Sequence, residues 1–157
     1  MTLQQEIAPI AVRPSALNGI SEQMVISHYE NTYGNAVRML NTVRRELAAL
    51  DAETPPYRLG GLKREELSLM GSVALHELYF GNLGGYRRAG PNSGLGRPDW
   101  HEVPDALAAE IGEDFGSASA WRRDFVGTAQ SLAGGPGWAL LTYSRRQKRL
   151  WNQIATD

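Results

Sequence analysis

The chain has 157 residues, 42% hydrophobic and 21% charged, enough for one domain with a core or for two small lobes. Its net charge of −1 creates no overall field toward nucleic acid or membrane. The absence of cysteine excludes disulfides, thiolate metal sites and cysteine nucleophiles together. No apolar run approaches a membrane span, and residues 1–16 lack the basic-then-apolar order of a secretory signal. These features lead us to expect a cytoplasmic protein with neither a membrane nor a nucleic-acid partner.

Residues 1–20 carry Pro9 and Pro14 and no helical period, which predicts an extended arm on the surface. Ser21 is an N-cap candidate, with Glu22 in the first turn where its charge suits the helix dipole. The helix that follows is expected to run to about Leu50, with an inner face of Val25, Tyr29, Thr32, Ala36, Leu40, Val43 and Leu47. Asp51 to Gly61, with Pro55, Pro56, Gly60 and Gly61, reads as a connection. A second helix is expected from Leu62 or Lys63 to about Phe80, ended by Gly81, Gly84 and Gly85. Leu69, Val73, His76 and Phe80 share one of its faces. The pair forms a long antiparallel helical hairpin. Packed that way, His28 of the first helix and His76 of the second can meet inside the molecule.

Residues 81–104 are rich in Gly and Pro and read as a lobe boundary, which divides the chain into lobes 1–85 and 86–157. Helical pattern resumes with Ala106, Leu107, Ile111 and Phe115. Gly116-Ser117 stops that helix and caps another bearing Trp121, Phe125, Ala129 and Leu132. Beyond Gly134-Gly135-Pro136-Gly137 the period changes. Trp138–Tyr143 and Arg149–Ala155 read as strands around a polar turn. A lone hairpin needs cover, and its second strand would leave Leu150, Trp151 and Ile154 exposed on an open edge. The sheet is therefore expected to be incomplete at the C-terminus.

Taken in order, these segments resemble the iron/manganese superoxide dismutases. The shared order is a long helix with His, a second with His-x-x-x-aromatic, then Phe115-Gly116-Ser117, then Gly137-Trp138-Ala139, then a hairpin. The resemblance implies an α+β fold, a helical-hairpin lobe followed by an α/β lobe with a small antiparallel sheet. It implies one iron or manganese ion per chain, superoxide as substrate, and a homodimer. By the phase of Val37 and Asn41, His28 matches the family's first metal ligand, and His76 matches the second. An Asp and a His from an Asp-x-x-x-His segment complete the family's ligand set, and that segment would lie beyond Asp157. The gateway tyrosine of the family falls on Ala36, leaving Tyr33, one turn away, as the candidate catalytic substitute. Trp138 matches a pocket tryptophan and is the second candidate of that kind. Ser72, Phe80 and Leu140 depart from the residues most members carry.

Without such a resemblance each histidine would read as a hydrogen-bonded core residue. His101 reads as a solvated loop residue. The pairs Arg44-Arg45, Arg87-Arg88, Arg122-Arg123 and Arg145-Arg146 read as solvated faces beside 17 acidic residues. Trp121, Phe125 and Trp138 read as core. The alternative to a dismutase is an inactive scaffold of the same fold that binds a protein or RNA partner.

Overall fold

The computed structural model of the protein describes residues 4–10, 12–17, 19–83 and 104–156. The chain separates into two units, Met1–Arg97 and Pro98–Asp157. The boundary expected at 85/86, residues 84–103 of the glycine-rich break with His101, and the helix stop at Gly84-Gly85 lie outside the described residues; Gly81, expected to help end the second helix, lies inside that helix.

In the first unit an extended arm with one 3-10 turn, Pro14–Ala16, leads to the helical hairpin. The first rod begins as expected: Ser21 Oγ accepts the Met24 N–H at 3.2 Å, satisfying a donor that the helix start leaves open. Helix α1 (Glu22–Ser27) passes through a π-helical segment (His28–Tyr33) into α2 (Gly34–Ala48). The Gly34 N–H reaches back to the Tyr29 carbonyl, five residues earlier. This wide turn shifts the phase of everything near it. Thr32, expected on the inner face, is exposed, and Tyr33 is buried in its place. After the turn the α-helical period resumes and buries Ala36, Val37, Leu40 and Val43.

The return helix α3 spans Pro56–Leu83, so it starts a turn and a half before the expected Leu62. Pro56 suits a first helical position, where its missing N–H would have had no partner. Gly60 and Gly61 are carried inside the helix despite a cost of about 1 kcal/mol each relative to alanine. Leu69, Val73, His76 and Phe80 are all buried, as the stripe predicts. They interlock with Val25, Tyr33, Val37, Leu40 and Val43 to make the core of this unit.

In the second unit α4 (Asp105–Phe115) ends on Gly116 in the left-handed conformation, and Ser117 Oγ caps α5 (Ala118–Ser131) through the Ala120 N–H at 3.1 Å. Strands β1 (Trp138–Ser144) and β2 (Arg149–Ala155) pair antiparallel, Trp138 opposite Ala155 and Ser144 opposite Arg149. The helices grip β2 by polar contacts. Asn152 donates to Asp124 at 2.6 Å and accepts from the Trp121 indole at 3.1 Å. Asp114 accepts the Leu150 N–H at 2.7 Å and pairs with Arg149 at 2.8 Å.

Two expectations are corrected here. Leu150 is only 8% exposed, because α4 and α5 cover its face of the sheet; Trp151 and Ile154 are exposed as expected. Trp121, Phe125 and Trp138 are half-buried rather than core; among the described residues of this unit, Ile111 and Leu150 are the buried apolar ones. Among the described residues no helix is long and apolar enough to cross a membrane.

Candidate metal centre

The π-helical segment and α3 bring His28 and His76 together, with the two Nε2 atoms 3.0 Å apart. The rings meet edge to face at 80°. His76 is 3% exposed, and its Nδ1 lies 2.7 Å from the Ser72 carbonyl, one turn back in the same helix. A carbonyl only accepts, so Nδ1 carries the proton and Nε2 presents a lone pair toward His28. That carbonyl contact fixes the ring's tautomer and orientation, as metal-ligating histidines require. In the metal-free pair, His28 Nε2–H is then the donor to His76 Nε2.

Aromatic rings enclose the pair. Tyr79 stacks on His28 at 5.4 Å, Phe80 meets His28 edge-on at 5.6 Å, and Tyr33 stacks on His76 at 6.0 Å. Burial, helped by the neighbouring His76, holds His28 below the ordinary histidine pKa of 6.5. It is therefore neutral at physiological pH, the form in which imidazole binds a metal.

Tyr33 is 1% exposed. Its hydroxyl accepts from the Ala8 N–H at 2.8 Å and donates to Glu77 at 3.0 Å. Burial raises its pKa; the Ala8 N–H opposes this and the Glu77 carboxylate reinforces it, so the hydroxyl keeps its proton. Ala36, where the gateway tyrosine would fall, is buried in the hairpin core. Trp138 belongs to the second unit, where it opens β1.

Sequence reading foresaw an extended arm but missed Glu77 and the arm's attachment beside the histidines. Gln5 Nε2 also reaches Glu77, at 3.4 Å, and a pocket of about 70 Å³ lies between Ala8, Pro9, Tyr33, Glu77, Phe80 and Gly81. Nothing in an extended arm's composition signals which side chains will hold it.

The pair fits a metal in its donor chemistry: two imidazole Nε2 atoms face each other 3.0 Å apart, near enough for one ion to engage both. Imidazole suits iron and other first-row metals. Among the described residues no third His, Asp or Glu joins the two.

The chain is similar to known proteins over most of its length. Residues 103–156 match the family model for the iron/manganese superoxide dismutase C-terminal domain. The chain is 44% identical over 153 residues to the superoxide dismutase (Fe) of Cupriavidus metallidurans, covering 97% of this chain and 71% of that protein. It is 32% identical over 132 residues to the superoxide dismutase (Fe) of Methanothermobacter marburgensis, covering 84% and 60%. With superoxide dismutase (Mn) 2 of Haloferax volcanii the identity is 30% over 155 residues, covering 97% and 69%.

Proposed function

This chain belongs to the iron/manganese superoxide dismutase family, and on that premise we propose that it takes part in converting superoxide to dioxygen and hydrogen peroxide. The observation that carries the reading is the 3.0 Å approach of the His28 and His76 Nε2 atoms. Iron or manganese, when bound, supplies the one-electron acceptor and donor for two successive superoxide anions.

The roles of the chain's own residues follow from their surroundings. His28 and His76 are the proposed ligands, each through its Nε2 atom. The Ser72 carbonyl holds His76 in the ligating tautomer. Tyr33, Tyr79 and Phe80 limit water at the pair and keep the two rings from rotating. The Tyr33 hydroxyl is engaged by Ala8 and Glu77, so this residue contributes through its ring, packed on His76. Trp138 is proposed as the pocket tryptophan, on the strength of its place in Gly137-Trp138-Ala139. Remaining ligands of the family set would come from an Asp-x-x-x-His segment, which the 157 residues do not contain.

The same reading makes the protein a cytoplasmic antioxidant homodimer, which cell fractionation and light scattering would test. The inactive-scaffold alternative gains nothing from relatives that carry dismutase names.

The deciding experiment loads the full protein with iron or with manganese, then measures bound metal and superoxide loss beside His28→Ala and His76→Ala. We expect one of the metals to bind and support turnover, and either substitution to remove both properties. Turnover that survives both substitutions would refute the assignment.

A further inference from the structure

The arm is attached near the histidines mainly by hydrogen bonds. Its apolar anchoring to the core begins at Ile10 and continues with Leu17 and Ile20, while Ile7 is 41% exposed. Before that point, polar side chains of the hairpin take hold of two arm residues. Asn41 brackets Gln5, accepting its N–H at 2.8 Å and donating to its carbonyl at 2.9 Å. Tyr33 and Tyr29 bracket Ala8 in the same manner: Tyr33 accepts its N–H at 2.8 Å, and Tyr29 donates to its carbonyl at 2.8 Å. Glu77 closes the set by accepting from both Tyr33 and the Gln5 amide.

The placement of these partners matters more than their number. Tyr29 and Tyr33 lie in the π-helical segment that carries His28, and Glu77 directly follows His76 in α3. A π turn replaces the α-helical i→i+4 bonds by wider i→i+5 ones and is rare on its own, so its shape leans on what packs against it. Here the arm ties that turn to α3 from outside, while the histidines meet on the inside.

We propose that residues 5–8 act as a positioning strap, holding the π-helical segment against α3 and so setting the approach of His28 to His76. Gln5 and Ala8 act through the side chains that hold them, Asn41, Tyr29, Tyr33 and Glu77. The inference takes the histidine pair as the proposed ligands. Its test is read on the metal-free protein, so it can fail while the dismutase reading stands, and the reverse.

The test uses two substitutions in the full chain. Tyr29→Phe deletes one hydroxyl and keeps the ring that packs on Phe80 at 5.4 Å. Asn41→Ala removes both bonds to Gln5. Amide exchange at Gln5 and Ala8 reports the strap, and imidazole ¹⁵N shifts report the tautomers and mutual contact of His28 and His76. Val43→Ala, which costs apolar burial and no hydrogen bond, is the control for general loosening.

The expected result is that arm-amide protection drops about fivefold or more per lost bond. The His28 nitrogen shifts should then move toward the fast-exchanging mixture of tautomers seen for a free imidazole, with no such change in Val43→Ala. Three outcomes overturn the proposal: arm protection that does not fall, histidine shifts unchanged while the arm is released, or an equal change in the control.

Discussion

Replacing Phe80 by alanine tests the packing that isolates the histidine pair. Phe80 is 4% exposed, and its ring centroid lies 5.2 Å from Tyr79, 5.4 Å from Tyr29, 5.6 Å from His28, 6.0 Å from Tyr33 and 6.3 Å from His76. Counting each ring pair at about 0.5–1.5 kcal/mol beyond burial would give roughly 2.5–7.5 kcal/mol. Those contacts share one ring and are not additive, so the measured cost of a buried Phe→Ala change, about 3–5 kcal/mol, is the better guide. Against a usual total of about 5–15 kcal/mol, the variant stays folded and becomes marginal. The vacated space adjoins the 70 Å³ pocket beside Glu77 and the Tyr33 hydroxyl, which offer water the polar partners it needs. Water there relieves the burial that depresses His28, so its pKa should rise toward 6.5. Urea unfolding followed by far-UV circular dichroism measures the first effect, and a proton NMR titration of the metal-free histidine ring measures the second. A stability loss under about 1 kcal/mol, or a His28 pKa that stays put or falls, would refute this account of the cage.

Further expectations concern other contacts. Tyr33→Phe removes a hydrogen bond to a carboxylate and one to a backbone N–H while keeping the ring; by the usual values it should cost about 2–4 kcal/mol in urea unfolding. Gly137→Ala should cost about 1–3 kcal/mol, because the new Cβ would lie 3.1 Å from the Ala155 carbonyl oxygen and 2.9 Å from a Leu132 methyl; thermal unfolding checks it. Asp114 is held below the usual 3.8 by the Leu150 N–H first and by Arg149. On acidification the unfolded chain therefore takes up this proton before the folded one does. The stability contributed is present above about pH 4 and disappears as pH falls through the folded value. Unfolding midpoints measured from pH 7 to pH 2 should fall less steeply below pH 4 in Asp114→Asn than in the parent.

Much of the hairpin was legible because its signals are local. Ser21 capping α1, Gly116-Ser117 parting α4 from α5, and the Leu69–Phe80 stripe each depend on a few consecutive residues and a fixed helical period. The β-hairpin was equally plain from its two apolar runs and polar turn. The π-helical segment was not legible, since an α-helical period carried straight through places Thr32 inside and Tyr33 outside. Only packing against α3 decides that the wider turn is worth its poorer hydrogen bonding. The start of α3 at Pro56 was hidden for a related reason: Gly60 and Gly61 are weak helix formers, and the loop they suggest gives way to helix in the folded unit. Leu150 looked like an exposed edge residue because nothing nearby in sequence shows that α4 supplies Asp114 to hold its N–H and that α4 and α5 cover its face.

For the site, the amino-acid order determined which residues were available: two histidines on apolar helix faces, in an arrangement that resembles one metalloenzyme family. Periodicity placed His76 on its buried face, because α3 keeps a constant turn per residue there; the ligand reading of both histidines came from the resemblance. Tertiary structure decided that the two Nε2 atoms stand 3.0 Å apart, that Ser72 rather than a carboxylate orients His76, and that Tyr33 faces Glu77 and the arm. Those outcomes depend on the wide turn at His28–Tyr33 and on contacts between residues as far apart as Gln5 and Glu77. A distance of that kind is set by how whole surfaces pack against one another, which no short stretch of the chain encodes.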